Sequence, residues 1–274
     1  MTKNIPIIFL MLAAISCTFS TTDTLSFDDK VATQAAVAMT ATALDQLIKN
    51  PTATLEPTAP ANLMPTETPA LVPTLDKEDP VKSLGQPSWK DDLTNAGNWF
   101  SSGSFISDNT EFKPSSGGIT ATSTKTSDGR RWYLHYEKRP KNVYIEAKFN
   151  TSTCSGKDQY GIAFRAPNLE DNITFLFGVT CDGSFSLSKA EPSISVLLEN
   201  TASGDAINTG SNKTNILGVW AKDDRIRLYA NGQFLKEISN ASLNNDGHFG
   251  LFINARETPG FTIKLDEISY WLIN

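Results

Sequence analysis

Residues 173–187 read Ile173-Thr-Phe-Leu-Phe-Gly-Val-Thr-Cys-Asp-Gly-Ser-Phe-Ser-Leu187. Apolar side chains occupy alternate positions on both sides of an Asp-Gly pair: Ile173, Phe175, Phe177 and Val179 before it, and Phe185 and Leu187 after it. Alternation with a period of two is typical of a strand with one buried face. An Asp-Gly pair between two such runs is a strong signal for a β-hairpin. The stretch therefore predicts two antiparallel strands joined at Asp182-Gly183.

The pattern continues along the rest of the C-terminal part. A second hairpin is predicted around Asn231-Gly232, with Ile226, Leu228 and Ala230 on one face and the charged Arg225 and Arg227 pointing away. Further strands are predicted at 160–166, 196–198, 216–221, 248–254 and 261–271. Short strands at this spacing, without a long helical run after residue 86, predict an all-β protein. The expected architecture is an antiparallel two-sheet jelly-roll sandwich.

Composition divides the chain of 274 residues into two parts. All 17 Gly, all 5 Trp and all 6 Tyr lie at or after Gly85, whereas 6 of the 14 Pro lie within 51–75. The sequence thus predicts a signal peptide at 1–16, a tether at 17–86 and one sandwich domain at 87–274, a usual size for a domain. The net charge of −6 argues against a nucleic-acid partner.

The N-terminus has the features of an export signal. Lys3 precedes an apolar run of about ten residues, which is too short for a membrane-spanning helix. The run ends at Ala14-Ile15-Ser16-Cys17, which resembles a bacterial lipobox, where the cysteine is lipidated. We therefore expect the protein to be exported and anchored to the outer face of the bacterial membrane by lipid on Cys17. The alternative is an ordinary signal peptide with an incidental cysteine.

The tether combines a predicted helix with a Pro-rich spacer. Residues 26–49 carry a capping pattern and an apolar stripe at helical spacing, and Pro51 ends the pattern. In 51–75, Pro, Thr and Ala make up 16 of 25 residues, a composition that cannot form a packed core. We expect a marginal helix followed by an extended spacer that clears the cell wall; the alternative is a plain interdomain linker.

Two cysteines remain if Cys17 carries lipid. In an exported protein a pair such as Cys154 and Cys181 indicates a disulfide. Two buried free thiols are the alternative. The chain has 2 His, without the Cys and His spacing of a zinc site.

Several segments of the C-terminal part are distinctive: Cys154-Ser-Gly-Lys-Asp-Gln-Tyr-Gly-Ile-Ala-Phe-Arg-Ala-Pro167, Phe177-Gly-Val-Thr-Cys-Asp-Gly183, Ile207-Asn-Thr-Gly-Ser-Asn212, Leu228-Tyr-Ala-Asn-Gly-Gln233, Gly250-Leu-Phe252 and Thr258-Pro-Gly-Phe-Thr262 with Asp266. Together they resemble a bacterial extracellular family with a concanavalin A-like (laminin G-like) jelly-roll domain, related to 3-keto-disaccharide hydrolase-like domains. The resemblance covers 87–274. It implies the fold, and a function among carbohydrate binding, glycoside or 3-keto-glycoside hydrolysis, adhesion and receptor domains.

Signals for catalysis are weak. Glycosidases of the laminarinase type on this fold carry E-x-D-x-x-E, and no Glu here is followed by Asp two residues later. The acidic pairs Glu170-Asp171, Asp223-Asp224 and Asp266-Glu267 are adjacent, and adjacent strand residues face opposite ways. We interpret them as solvated turn or edge charges. His135 and His248 are interpreted as ordinary residues of the sheets.

The binding candidates are basic and aromatic. The segment Lys125–Tyr144 interleaves both types, including Arg130, Arg131 and Trp132, and suits an anionic polysaccharide; in the alternative interpretation its aromatic residues belong to the core. Arg165 follows the core residue Phe164 and is expected on the opposite face, either at a ligand or in a salt bridge. Trp220 and Lys189 are further candidates for the surface that carries Arg165.

No cofactor is expected. Calcium is conceivable on this fold through Asp158 or Asp182, although no spacing singles out a site.

The favoured function is a non-catalytic, lipid-anchored surface protein whose groove binds carbohydrate. The alternatives are a glycan or 3-keto-glycoside hydrolase, and a structural or protein-binding surface module.

Overall fold

The computed structural model describes residues 79–274 apart from Ser102, Asp128, Asn240 and Ala241. The predicted signal peptide, Cys17, the helix predicted at 26–49 and the spacer at 51–75 lie outside the described residues, so those expectations stay predictions. No helix among the described residues is long and apolar enough to cross a bilayer.

The described chain is almost entirely strands. One short helix, α1 (Val81–Leu84), precedes them, and single 3₁₀ turns lie at Ala96–Trp99 and Gly204–Ala206. The strands are β1 (Trp89–Asp91), β2 (Phe105–Ser107), β3 (Thr110–Ser115), β4 (Gly118–Ser123), β5 (Arg131–Leu134), β6 (Val143–Thr151), β7 (Gln159–Ala166), β8 (Thr174–Thr180), β9 (Ser184–Ala190), β10 (Ser195–Ala202), β11 (Thr214–Lys222), β12 (Arg225–Ala230), β13 (Gln233–Ile238), β14 (His248–Asn254) and β15 (Phe261–Leu272).

The strands form two antiparallel sheets. The larger has nine strands in the order β13-β12-β11-β6-β15-β4-β3-β2, with β1 paired to β15. The smaller has six strands in the order β10-β9-β8-β7-β14-β5. The predicted two-sheet jelly-roll sandwich is therefore confirmed.

The core lies between the two sheets and consists of the apolar side chains that alternate along the strands of both. Phe149 from the larger sheet belongs to the same apolar cluster as Phe177 and Leu187 from the smaller one, and all three side chains are fully buried. Burying a side chain of this size contributes about 1.5–3 kcal/mol relative to its exposure. This cluster makes the sandwich one packing unit.

Both predicted hairpins are present. Strands β8 and β9 are joined by Cys181, Asp182 and Gly183, and the Gly183 N–H donates to the Thr180 carbonyl (3.0 Å). Strands β12 and β13 are joined by Asn231-Gly232, with φ of 50° and 75°. Positive φ at both central residues is what a tight type I′ hairpin requires, and Asn and Gly tolerate it best.

The predicted disulfide also forms. Cys154 precedes β7 and Cys181 follows β8, and their Cα atoms lie 5.5 Å apart. The bond therefore ties together the loops at one end of the smaller sheet.

Each sheet also has an outer face with its own small apolar cluster. On the larger sheet this outer aromatic cluster consists of Tyr144, Trp220, Tyr229 and Trp271. Helix α1 covers it with Val81 and Leu84, and the Trp271 indole N–H donates to the Gly85 carbonyl (2.9 Å).

Candidate functional site

The outer face of the smaller sheet carries an open groove. Its floor is built from small side chains, such as Ser186 and Ser188, that alternate along β9 with the core residues Phe185 and Leu187. Three depressions of about 220, 340 and 440 Å³ share Arg130 and form one continuous surface. We call this surface the groove; its walls are Arg130, Trp132, Lys157, Gln159, Leu197, Asn200, Asn254 and Arg256.

The floor of the groove depends on one close approach. Gly178 lies on β8, and a Cβ added there would come within 2.4 Å of the Phe252 ring and 3.0 Å of the Gln159 side chain. Real Cβ atoms do not approach the ring that closely, so the glycine leaves the space that Phe252 occupies.

Arg130 spans the groove and is held by neutral groups. Its Nη1 donates to the hydroxyl oxygens of Ser188 (2.9 Å) and Ser195 (2.8 Å), and its Nε donates to Gln159 Oε1 (3.4 Å). No carboxylate among the described residues pairs with it. Burial, and secondarily the positive charge of Arg256, lower the pKa of Arg130 below its usual value.

Arg256 brings a second guanidinium to the groove from the loop after β14. The Asn254 amide, in the orientation that satisfies both its ends, accepts from Arg256 Nε (3.2 Å) and donates to the Gly129 carbonyl (3.1 Å). Arg256 also has no carboxylate partner within the described part of the chain.

The other charges around the groove are balanced locally. Lys157 Nζ lies 2.5 Å from Asp182 Oδ2, and Lys189 Nζ lies 2.6 Å from Glu191 Oε1. The uncompensated charge of the groove therefore resides on Arg130 and Arg256.

A buried carboxylate fixes the loop that carries Arg256. Asp158 is fully buried, and its Oδ1 accepts from the backbone N–H groups of Arg256 (2.7 Å), Glu257 (2.8 Å) and Thr258 (3.2 Å). Its Oδ2 accepts from the Ser155 N–H (3.3 Å). Burial alone would raise the pKa of Asp158, but these hydrogen bonds outweigh it and hold the pKa below its usual value. Asp158 therefore ties the loop of Arg256 to the start of β7, at the groove.

Trp132 supplies the apolar wall. It lies on β5 opposite Phe252 of β14, and it packs against a small cluster on the outer face that includes Leu176 and Ala190. The side chain is only partly buried and lines the groove, so part of its surface is accessible there.

The structure separates the other predicted binding residues. Arg131 lines the depression at the end of the groove next to Trp132, where its Nη2 lies 2.7 Å from Asp108 Oδ2. Lys189 pairs across the strands with the core residue Phe175 and does not line the groove.

Arg165 is not in the groove either. The pairing between β7 and β14 shifts between His248 and Gly250, and Arg165 has a φ of 55°, so simple alternation ends there. Its Nη1 donates to the Leu243 carbonyl (2.7 Å), and only 3% of the residue's surface is exposed. Burial lowers the pKa of Arg165 to about 10.

Trp220 lies on the opposite side of the molecule. It belongs to the outer aromatic cluster of the larger sheet and is almost completely buried. Arg227 points away from the core, as expected, but it is buried on the outer face: its guanidinium lies 4.7 Å from the Trp220 ring centre and pairs with Glu237.

Both histidines are parts of the packing. Trp89, Trp99 and Phe249 surround the buried His135, whose Nδ1 accepts from the Glu137 N–H (3.2 Å). Burial lowers the pKa of His135, which favours its neutral form. Nδ1 of His248 contacts the His135 carbonyl (2.9 Å), also in a buried position.

The acidic pair Asp266-Glu267 departs from the expected alternation. The register of β15 against β6 shifts between Leu265 and Glu267, so neither carboxylate enters the core. Lys264 pairs with Asp266 (3.1 Å) and Lys90 with Glu267 (2.7 Å) on the larger sheet. A bulge inserts one residue and brings two neighbours to one face, which explains the difference.

Metal ligation finds little support in the part of the chain that the structure describes. No group of three or more His, Cys, Asp or Glu side chains there could hold an ion. Asp158 and Asp182, the two residues named for calcium, accept hydrogen bonds from N–H or hydroxyl donors or pair with Lys157.

Comparisons with known proteins identify the fold. No protein-family model matches the sequence, and no curated protein is significantly similar to it. Solved structures do match. A protein of unknown function with a galectin-like fold from Bacillus subtilis is 9% identical, with a TM-score of 0.51 over 68% of this chain and 96% of that one.

Two further matches have names that refer to carbohydrates. The carbohydrate-binding module CBM66 from Bacillus subtilis is 15% identical, with a TM-score of 0.40 over 61% of this chain and 90% of that one. The catalytic domain of a laminarinase from Thermotoga petrophila RKU-1 is 10% identical, with a TM-score of 0.45 over 69% and 98%. At such identities the likeness concerns the fold alone.

Sequence reasoning missed most of the groove. The sequence indicates Arg130 only as part of a basic segment, and the predicted site residues do not include Arg256, Gln159, Ser186 or Ser188. One signal was available, because Ser184, Ser186 and Ser188 alternate with Phe185 and Leu187 and therefore face outward. Arg256 reaches the groove only through the pairing of distant strands.

Proposed function

We propose that this protein is a lipid-anchored cell-surface protein whose sandwich domain binds carbohydrate without cleaving it. The observation that carries the proposal is the groove, in which one partly exposed tryptophan faces hydroxyl, amide and guanidinium groups.

The chemistry of the groove suits a sugar chain. A sugar ring has an apolar face of C–H groups and a rim of hydroxyls. Trp132 offers a flat surface for the first, and Gln159, Asn200 and Ser186 offer donors and acceptors for the second.

The carboxylates near the groove support the non-catalytic part of the proposal. Hydrolysis by retaining or inverting glycosidases uses two carboxyl groups on opposite sides of the scissile bond. Of the carboxylates that line the three depressions, Glu191 pairs with Lys189 and Asp108 pairs with Arg131. Proteins that share this fold include both a binding module and a glucanase, so the fold accommodates either activity.

The anchoring part rests on the lipobox-like Ala14-Ile15-Ser16-Cys17 and the Pro-rich tether. Changing Cys17 to Ser should move the protein from the membrane fraction to the soluble fraction of cells. Retention of the variant in the membrane fraction would show that the lipid anchor is not there.

Binding is tested with the full-length protein on an array of neutral and acidic glycans. We expect retention of at least one class, and loss of that retention in Trp132→Ala. Tyr136→Ala is the matched control, because Tyr136 is an exposed aromatic residue that does not line the groove. Retention of no glycan by the folded protein would reject the carbohydrate-binding proposal.

A further inference from the structure

The groove holds two positive charges that the described protein does not neutralise. Arg130 is bonded to Ser188, Ser195 and Gln159, all neutral, and its Nη2 has no partner among the described residues. Arg256 is held at Nε by Asn254, and its two terminal nitrogens have no partner within the described residues.

These two charges lie close enough to affect one another. The positive charge of Arg256 adds to burial in lowering the pKa of Arg130, which is the expected effect of two like charges in one site. A bound anion would relieve this repulsion, whereas a neutral ligand would not. The chain as a whole has a net charge of −6, so a positive groove is a local feature rather than a general one.

Both guanidiniums are positioned in advance. The hydroxyls of Ser188 and Ser195 orient Arg130 across the strands, and the network of Asp158 with the backbone fixes the loop of Arg256. Preorganised donors lose less conformational entropy when a ligand binds, so these contacts favour recognition.

We infer that the ligand of the groove is an acidic glycan whose sugar units carry carboxylate groups, with Arg130 and Arg256 as its anion-binding pair. This inference rests on the proposed carbohydrate binding and specifies its chemical class.

The geometry favours a carboxylate on a sugar ring over a free small anion. A guanidinium is a planar fork that pairs with a carboxylate through two parallel hydrogen bonds. Arg130, Arg256 and Trp132 all line the same depression of about 440 Å³. One uronic acid unit can therefore place its ring on Trp132 while its carboxylate reaches a guanidinium.

The experiment compares uronate polymers with a neutral and a sulfated polymer, and one pair, polygalacturonate and its methyl ester, differs only in charge. Affinity electrophoresis or calorimetry with the full-length protein uses polygalacturonate, alginate and hyaluronate. Fully methyl-esterified polygalacturonate is the neutral counterpart, and dextran sulfate is the sulfated arm. We expect binding to at least one uronate polymer, at least tenfold weaker binding to its neutral counterpart, and an affinity that falls as salt concentration rises.

Matched variants identify the site. Arg130→Gln with Arg256→Gln should weaken binding of the uronate polymer by about tenfold to a hundredfold, the range expected for losing charge-assisted hydrogen bonds. Arg139→Gln with Arg225→Gln removes the same charge from exposed positions outside the groove and should leave the affinity unchanged. Because Arg130 also bonds side chains on three strands, Arg256→Gln alone and the melting temperature of each variant separate binding from folding.

Each other outcome has a definite meaning. Equal binding of charged and neutral polymers, unaffected by the double variant, would overturn this inference and leave the carbohydrate proposal in place. Binding of dextran sulfate but of no uronate polymer would overturn the assignment to carboxylates. Failure to retain any glycan on the array would reject the proposed function and this inference together.

Discussion

The outer faces of the two sheets differ in what occupies them. On the larger sheet, four aromatic side chains, those of Tyr144, Trp220, Tyr229 and Trp271, pack beneath helix α1. On the smaller sheet, small residues such as Ser186 and Ser188 face outward, and a single tryptophan, Trp132, stands beside them.

The difference shows that an aromatic residue by itself does not mark a binding surface. Trp220 and Trp132 both lie on outer faces next to arginines, yet Trp220 is covered and Trp132 is partly open. The open surface arises where the outward residues are small, because neighbouring elements then leave a depression instead of filling it.

The largest expected effects on stability and on binding come from replacing the two tryptophans by alanine. Trp220→Ala should lower the free energy of unfolding by about 3–5 kcal/mol, as for other large buried side chains, and leave glycan affinity per folded molecule unchanged. Trp132→Ala should do the reverse, with a small loss of stability and a large loss of binding. Denaturant unfolding and glycan titration of both variants test this.

The contrast between the two tryptophans would fail if Trp220→Ala abolished binding in a protein that remains folded. It would fail equally if Trp132→Ala were the more destabilising of the two substitutions.

Removing the disulfide is expected to cause the next largest loss of stability. Replacing both Cys154 and Cys181 by Ala should lower the free energy of unfolding by about 3 kcal/mol, the value expected for a bridge that closes a loop of this length. Since the bond lies at the groove end of the smaller sheet, affinity should fall as well. Reduction of the wild type without any change in melting temperature would contradict a stabilising role.

The Asp158 network gives a somewhat smaller effect, with a distinct pH dependence. Asp158→Asn should cost about 2 kcal/mol, because hydrogen bonds from backbone N–H groups to a charged acceptor are replaced by weaker ones. The folded state lowers the pKa of Asp158, so this group stabilises the protein above the ordinary carboxyl pKa of about 3.9. That contribution is lost as pH falls through the folded pKa.

Melting temperatures measured between pH 7 and pH 3 test the direction of this pH dependence. The difference between wild type and Asp158→Asn should be largest at neutral pH and shrink in acid. A difference that stays constant over this range would show that the charge of Asp158 contributes nothing.

The smallest expected change in stability comes from Glu146, on the outer face of the larger sheet. Glu146 is partly buried beside the Tyr144 hydroxyl, which donates to Glu146 Oε2 (3.0 Å), and burial raises the pKa of this carboxyl. A raised pKa in an acid means that stability is highest when the group is protonated and declines as pH rises through the folded pKa. Glu146→Gln should therefore have a higher melting temperature than wild type at pH 7 and lose that advantage in acid. A melting temperature of Glu146→Gln below that of wild type at pH 7 would contradict this prediction.

Much of the fold could be predicted from local pattern. The alternation around Asp182-Gly183 and Asn231-Gly232 specified the strands and their turns, because a buried face fixes register. The pairing of Cys154 with Cys181 was also predictable, since only these two cysteines follow Gly85.

The site could be predicted only in part. Trp132 was recognised and lines the groove, but the position of Arg165 could not be derived from alternation, because a register shift in β7 redirects it. Arg256 approaches Arg130 through the β14–β5 pairing, in which Ile253 lies opposite Arg131, and a single sequence does not reveal such long-range pairing. The lipid anchor and the spacer remain predictions, since they lie outside the described residues.

The most direct test of the central claim follows the indole N–H resonances of the 5 tryptophans while the full-length protein is titrated with the best-retained acidic glycan. We expect the Trp132 signal to shift in proportion to saturation, while those of Trp220 and Trp271 in the outer aromatic cluster stay in place. A stationary Trp132 signal, together with shifts of Trp220 or Trp271, would contradict it and place the binding surface on the larger sheet.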